Sequence, residues 1–222
     1  MRRAALLLST ALFIVGCATY DLSPYEFADR ALAVEVRVAP GARVDADFFV
    51  DLDPNDPIGS VISIGTSIAK AGEVGAAQER LDSAMRTTDI GAIAKDELTA
   101  FAEFSLGSVV ADRRPDAEYY LRVDIDQYGI EADGFGGAVE FRLDGRAELY
   151  DQAERELIWA RNLRIREEAN PSFFGLPAAA GNVLSAAALA ELTEQDMVNG
   201  VESLAREAAR EISEEIERSI YG

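Results

Sequence analysis

The sequence predicts an α+β fold, with helices packed on one face of a mainly antiparallel sheet, a C-terminal meander and a long final helix. Three features carry that expectation. Residues 117–166 hold three successive segments in which apolar residues recur every second position, joined by short turns. Residues 193–221 carry one apolar stripe at helical spacing. Upstream of the meander, an alternating segment near residue 31 is followed by stretches of helical periodicity. Strands that alternate over one face need a cover on that face, and amphipathic helices supply it.

Taken in order, Ala31 to Val38 places Leu32, Val34, Val36 and Val38 on one face and Glu35 and Arg37 on the other, the period of a half-buried strand. Pro40-Gly41 ends it. Phe48 to Leu52 reads as a short strand before a turn-rich run, Asp51 to Pro57. Ile58 to Ala69 is uncharged, with Ile58, Val61, Ile62 and Ile68 at helical spacing but with glycines that lower helix propensity. Ala76 to Met85 and Asp89 to Phe104 read as helices. The second has a face of Ile90, Ile93, Ala94, Leu98, Phe101 and Ala102. In the meander, Tyr119, Leu121, Val123 and Ile125 oppose Tyr120, Arg122, Asp124 and Asp126. Gly134 to Gly137 is expected to form a hairpin loop, after which Val139, Phe141, Leu143, Gly145, Ala147 and Leu149 alternate. A third strand follows, Glu156 to Arg166, carrying Leu157, Trp159, Asn162 or Leu163, and Ile165. Thr193 and Asp196 suit the start of the last helix. Its stripe runs through Val198, Val201, Leu204, Ala205, Ala208, Ile212, Ile216 and Ile220.

The first residues have a different character. Arg2-Arg3 precede an apolar stretch, Ala4 to Val15, which ends at Ile14-Val15-Gly16-Cys17. A basic head, a core of about a dozen apolar residues and a small residue at the cut site describe an export signal. The stretch is shorter than the roughly 20 residues that span a bilayer. Ile-Val-Gly-Cys resembles the lipobox of bacterial lipoproteins. The resemblance implies that Cys17, the sole cysteine, becomes the first mature residue and carries acyl chains. Ala18 follows it in place of the aspartate that favours inner-membrane retention in that family. The implied address is therefore the periplasmic face of the outer membrane of a Gram-negative bacterium. The organisation expected is a signal peptide at 1–16, a lipidated tether at 17–30 and one α+β domain at 31–222. Uncharged inserts lie near 58–72 and 169–190.

Composition narrows the function classes. The net charge is −19; removing residues 1–16 deletes two arginines and no acid, giving −21. Such a body repels nucleic acid and anionic headgroups. With 49% apolar residues, the chain has the composition of a globular protein. A single cysteine excludes an intramolecular disulfide.

The chain has no histidine, which removes the commonest acid–base group and most zinc ligand sets. Asp124 and Asp126, two apart on one strand, are the weak support for a carboxylate-dependent hydrolase; as alternating acids they equally describe a solvent face. Asp51-x-Asp53-x-Asn55 imitates the start of a calcium loop, but Asp56 and Ile62 stand where glycine and glutamate are needed. No metal and no cofactor is expected. Ala169 to Ala190 is uncharged and carries Phe173, Phe174 and Leu176 between Pro171 and Pro177. It reads either as a packed loop and helix or as an apolar contact surface for a partner or a lipid surface.

Tyr119 to Ile125, then Gly145 to Asp151, then Leu157-Ile158-Trp159 together resemble small envelope lipoproteins of Gram-negative bacteria. Among these are the auxiliary lipoproteins of ABC-type lipid transport systems and curli-secretion-like lipoproteins. The resemblance covers roughly residues 90 to 220. It implies a helix-on-sheet sandwich and a non-enzymatic binding or assembly role in envelope transport or biogenesis, with another envelope protein or a lipid transport complex as partner. An oligomeric secretion or pore component, hence a homo-oligomer, is the alternative.

Overall fold

The computed structural model describes residues 20–46, 72, 74–132, 139–169 and 191–222. Among these residues the fold is α+β: a mixed sheet of six strands with helices on one face. The strands are β1 (Ala31–Val38), β2 (Arg43–Ala46), β3 (Val109–Val110), β4 (Tyr119–Ala132), β5 (Val139–Asp151) and β6 (Glu156–Glu168). The helices are α1 (74–84), α2 (Ile90–Phe104) and α3 (Glu194–Tyr221), with a 3₁₀ turn at Arg114–Asp116.

The sheet order is β3-β1-β4-β5-β6, and β2 also pairs with β4. The meander is antiparallel, as the alternating pattern predicts. β1, β2 and β3 join by parallel pairing, a feature that periodicity cannot signal. β1 lies along Tyr119–Ile125 of β4, and after the break at Pro40-Gly41, β2 continues along Gly129–Ala132.

A bulge in β4 resets its side-chain parity. Asp126 has no partner across from β5, since Ile125 opposes Gly145 and Gln127 opposes Asp144. The buried series Leu121, Val123, Ile125 therefore continues as Tyr128 and Ile130. Gly145 makes room for this: a Cβ there would stand 2.4 Å from the Asp124 carbonyl oxygen. Gly129, at φ +148°, lets β2 approach, because its Cβ would meet the Arg43 carbonyl at 1.9 Å. A second bulge leaves Ile158 unpaired, and Ile158 and the next residue, Trp159, are both buried.

The helical face of the sheet supplies Leu121, Val123, Phe141, Leu143, Leu149, Trp159, Leu163 and Ile165, all at or below 4% exposure and so part of the core. Against them pack Leu98 and Phe101 of α2 and Val201, Leu204, Ala205, Ala208, Ile212 and Ile216 of α3. Asp89 caps α2 by accepting from the Ala92 amide at 2.9 Å. Thr193 and Asp196 form the full capping box of α3.

Both long helices run the same way. Gly91, at the start of α2, sits beside Val38 at the end of β1, whereas the Val109 amide, shortly after α2, donates to the Arg30 carbonyl at 2.9 Å. The α3 residue Ser203 donates to Glu167 near the end of β6 at 2.8 Å, and Arg161 meets Glu215 a few turns later at 3.3 Å. The molecule thus has an upper end, where β1 and β6 finish and α2 and α3 begin. At its lower end β1, β4 and β6 begin and both helices finish.

Residues 20–30 are fastened to the lower end. Leu22 is fully buried and its amide donates to the Ser219 carbonyl at 2.8 Å. The Phe27 ring lies 4.7 Å from that of Tyr119, and the Phe27 carbonyl accepts from the Ser108 hydroxyl at 3.0 Å.

Candidate functional site

The face of the sheet opposite the helices is charged, and the register arranges the charges in rows. Glu35 of β1 lies beside Arg122 of β4, which lies beside Glu148 of β5. In the next row Arg37, Asp124 and Arg146 are neighbours with every sign inverted. Opposite charges directly across strands attract, so each row supports the register. Within the grid Arg122 bridges Asp124 at 2.8 Å and Glu148 at 2.9 Å, and Arg146 bridges Glu148 at 2.9 Å. Arg37 pairs with Glu35 at 2.6 Å.

Two tyrosines form the row below. Tyr120 and Tyr150 stack with ring centroids 6.0 Å apart, and the Arg114 guanidinium lies over Tyr120 at 4.5 Å. The Tyr120 hydroxyl donates to Glu35, and the Tyr150 hydroxyl donates to Glu148 at 2.7 Å. Burial, then the bond to Glu35, pushes the Tyr120 phenol up to about 12. The Arg37 and Tyr120 hydrogen bonds hold the Glu35 carboxyl below its ordinary range. Tyr150 is raised chiefly by its bond to Glu148.

The alternation in sequence suggests a solvent face here; Asp126 is exposed and Asp124 partly so, but two groups of the face are buried. Tyr120 is 1% exposed and Glu148 6%. The reason is the layering of Arg114 over Tyr120 and the closing of two arginines and a tyrosine over Glu148. The shared order of Arg122-Val123-Asp124 and Arg146-Ala147-Glu148, base then acid in both, was the available signal, because antiparallel pairing sets each base across from an acid once the hairpin register is known.

Asp124 and Asp126 are brought together: both line a shallow cavity of about 350 Å³ with Arg37 and Arg146. Asp124 is engaged by Arg122, and Asp126 is exposed on the bulge. General acid–base catalysis by two carboxylates needs unequal environments, one of them dry, to divide acid from base. Neither member of this pair is dry: Asp124 is ion-paired and partly exposed, and Asp126 is exposed.

A cavity of about 350 Å³ opens at the upper end between the end of β6 and the start of α3. Phe141, Ala169 and Leu192 are its apolar walls, and Glu167, Asp196 and Ser203 contribute polar groups. Its chemistry suits an apolar group flanked by a hydrogen-bond donor or a cation. Among the described residues no cluster of three or more histidine, cysteine, aspartate or glutamate side chains is arranged to hold a metal, and no helix is long and apolar enough to cross a membrane.

Several residues singled out in the sequence lie outside the described residues. They are Cys17, Phe173, Phe174 and Leu176, the Asp51-Asp53-Asn55 run, the 58–69 segment, the Phe48–Leu52 strand and the Gly134–Gly137 loop.

No family model matches the chain, and no curated protein matches it. Similar solved structures are distant. A DUF330 protein of Xanthomonas campestris is 11% identical, with a TM-score of 0.36 over 90% of this chain and 91% of its own. A putative lipoprotein of Caulobacter crescentus is 17% identical, with a TM-score of 0.36 over 60% of this chain and 84% of its own. PelC of Paraburkholderia phytofirmans, a dodecamer, is 13% identical, with a TM-score of 0.31 over 81% of this chain and 86% of its own. Likeness at this level transfers no activity, so function has to be argued from the residues of this chain.

Proposed function

We propose that the chain is a lipid-anchored, non-enzymatic binding or assembly module of the bacterial envelope. The observation that carries this reading is Ile14-Val15-Gly16-Cys17 at the end of a short apolar run with a basic head. Acyl chains on Cys17 hold the protein at a bilayer it does not cross, each buried methylene contributing roughly 0.8 kcal/mol. The periplasmic face of the outer membrane is the address, from Ala18. The partner is another envelope protein or a lipid transport complex, and Phe173, Phe174 and Leu176 are its candidate contact. The described charges support a binding role over a catalytic one: Glu35, Asp124 and Glu148 are matched by Arg37, Arg122 and Arg146.

Membrane fractionation of Cys17→Ser tests the anchor. The variant is expected in the soluble fraction, and retention in the membrane fraction refutes anchoring through Cys17. In-cell crosslinking with partner identification then tests the module. Loss of function in Asp124→Asn/Asp126→Asn with the fold retained would instead revive the carboxylate-hydrolase reading.

A further inference from the structure

Three large apolar side chains are conspicuously exposed among the described residues: Phe104 at 86%, Val109 at 58% and Tyr221 at 77%. They come from three different elements, the end of α2, the edge strand β3 and the end of α3. All three stand at the lower end. Phe104 closes the helix whose start lies by the end of β1, Val109 pairs with Ala31 at the start of β1, and Tyr221 lies two residues beyond Ser219, which accepts from Leu22.

That end is also where the chain enters. Leu22 is buried and hydrogen-bonded to the last turn of α3, and Cys17 precedes it by only five residues. Even fully extended, five residues reach no more than about 18 Å. The bilayer holding the acyl chains must therefore lie against the lower end, and the body has little freedom to swing away. Three arginines of this end pair with acids, Arg30 with Glu118 at 3.0 Å, Arg113 with Asp116 at 2.7 Å and Arg218 with Glu215; Arg114 lies over the Tyr120 ring, and Arg155 stands in the hairpin turn between Glu154 and Glu156. No unmatched basic cluster is offered to anionic headgroups by these pairs, and the chain as a whole is acidic, so apolar contact has to carry the docking.

We propose that Phe104, Val109 and Tyr221 form a membrane-contact patch that rests in the headgroup region of the same bilayer, and that the upper-end cavity faces away from it. The occupant is a zwitterionic lipid surface. The proposal rests on acylation of Cys17 and adds the orientation of the body. Partners therefore approach from the upper end, where Ala169 and Glu191 border the cavity.

The test uses the full-length lipidated protein in phosphatidylcholine vesicles containing a shallow-depth fluorescence quencher on the lipid. With Cys17 acylated, a single introduced cysteine is the only thiol. Fluorophores are placed by Phe104→Cys, Val109→Cys, Tyr221→Cys and, at the upper end, Arg86→Cys. Flotation with the vesicles is recorded for each. Quenching several-fold stronger at 104, 109 and 221 than at 86 is the expected result. Equal, weak quenching at all four sites in protein that floats overturns the patch while leaving the anchor intact. Protein that fails to float overturns both. Crosslinking between two copies through position 104 or 221, without lipid quenching, assigns the patch to self-association and also refutes the proposal.

Discussion

Glu148 sits at 6% exposure on the face of the sheet opposite the helices, yet it is not stranded. Arg122, Arg146 and the Tyr150 hydroxyl all reach it within 3 Å, which supplies the hydrogen bonds that a buried carboxylate needs. Tyr120, the companion buried group, makes the face sensitive to alkali. Its phenol ionises at about 12 in the fold against 10.0 for the free side chain. Between those values the unfolded chain releases a proton that the folded chain retains, so stability falls as pH rises through that window. Glu35 acts in the opposite sense: its lowered value means that its contribution is present above the ordinary carboxylate range and is lost as pH falls through the folded value. Denaturant midpoints between pH 8 and 12 should decline more steeply in the wild type than in Tyr120→Phe. Identical slopes would show that Tyr120 does not contribute.

At the scale of elements, the bulge at Asp126 decides which residues of β4 reach the core. Without it, residues beyond Ile125 would continue in the odd register, and Tyr128 and Ile130 would face away from α2 and α3. Gly145 is what permits the bulge, since a methyl group there overlaps the Asp124 carbonyl. Gly145→Ala should therefore lower stability by about 2 kcal/mol, the usual cost of forced overpacking. Chemical denaturation measures this, and a neutral result would mean the strands separate freely. The strand patterns and helix stripes were legible because each element meets the core along its own period of two or 3.6 residues. The bulges, the two-residue β3 and the parallel entry of β1 were not. They depend on pairing between segments distant in sequence, about which local periodicity carries no information.

For the whole molecule, the joint between the entering chain and the last turn of α3 governs how the body is held. Leu22 is fully buried, and Leu22→Ala should cost about 3 kcal/mol through lost burial and the cavity left behind. The same change should loosen the lower end, seen as faster amide exchange at Leu22, whose partner is Ser219. Unchanged exchange would mean that the backbone bond alone secures the joint. Under the proposed acylation of Cys17, a loosened joint lengthens the effective tether, so it should also weaken lipid quenching at Tyr221→Cys more than at Phe104→Cys.

By itself the sequence determined the α+β class, the meander and the capped final helix, because these are written in contiguous periodic or positional patterns. Tertiary structure alone decided that Glu35, Tyr120, Arg122 and Glu148 form one interlocked grid, that Asp124 and Asp126 share a cavity with arginines, and that Phe104, Val109 and Tyr221 meet at one end. Each of these requires the parallel register of β1 against β4 and the shared direction of α2 and α3. Those arrangements follow from burying all the amphipathic faces at once, a condition imposed on the whole chain and visible in no single segment of it.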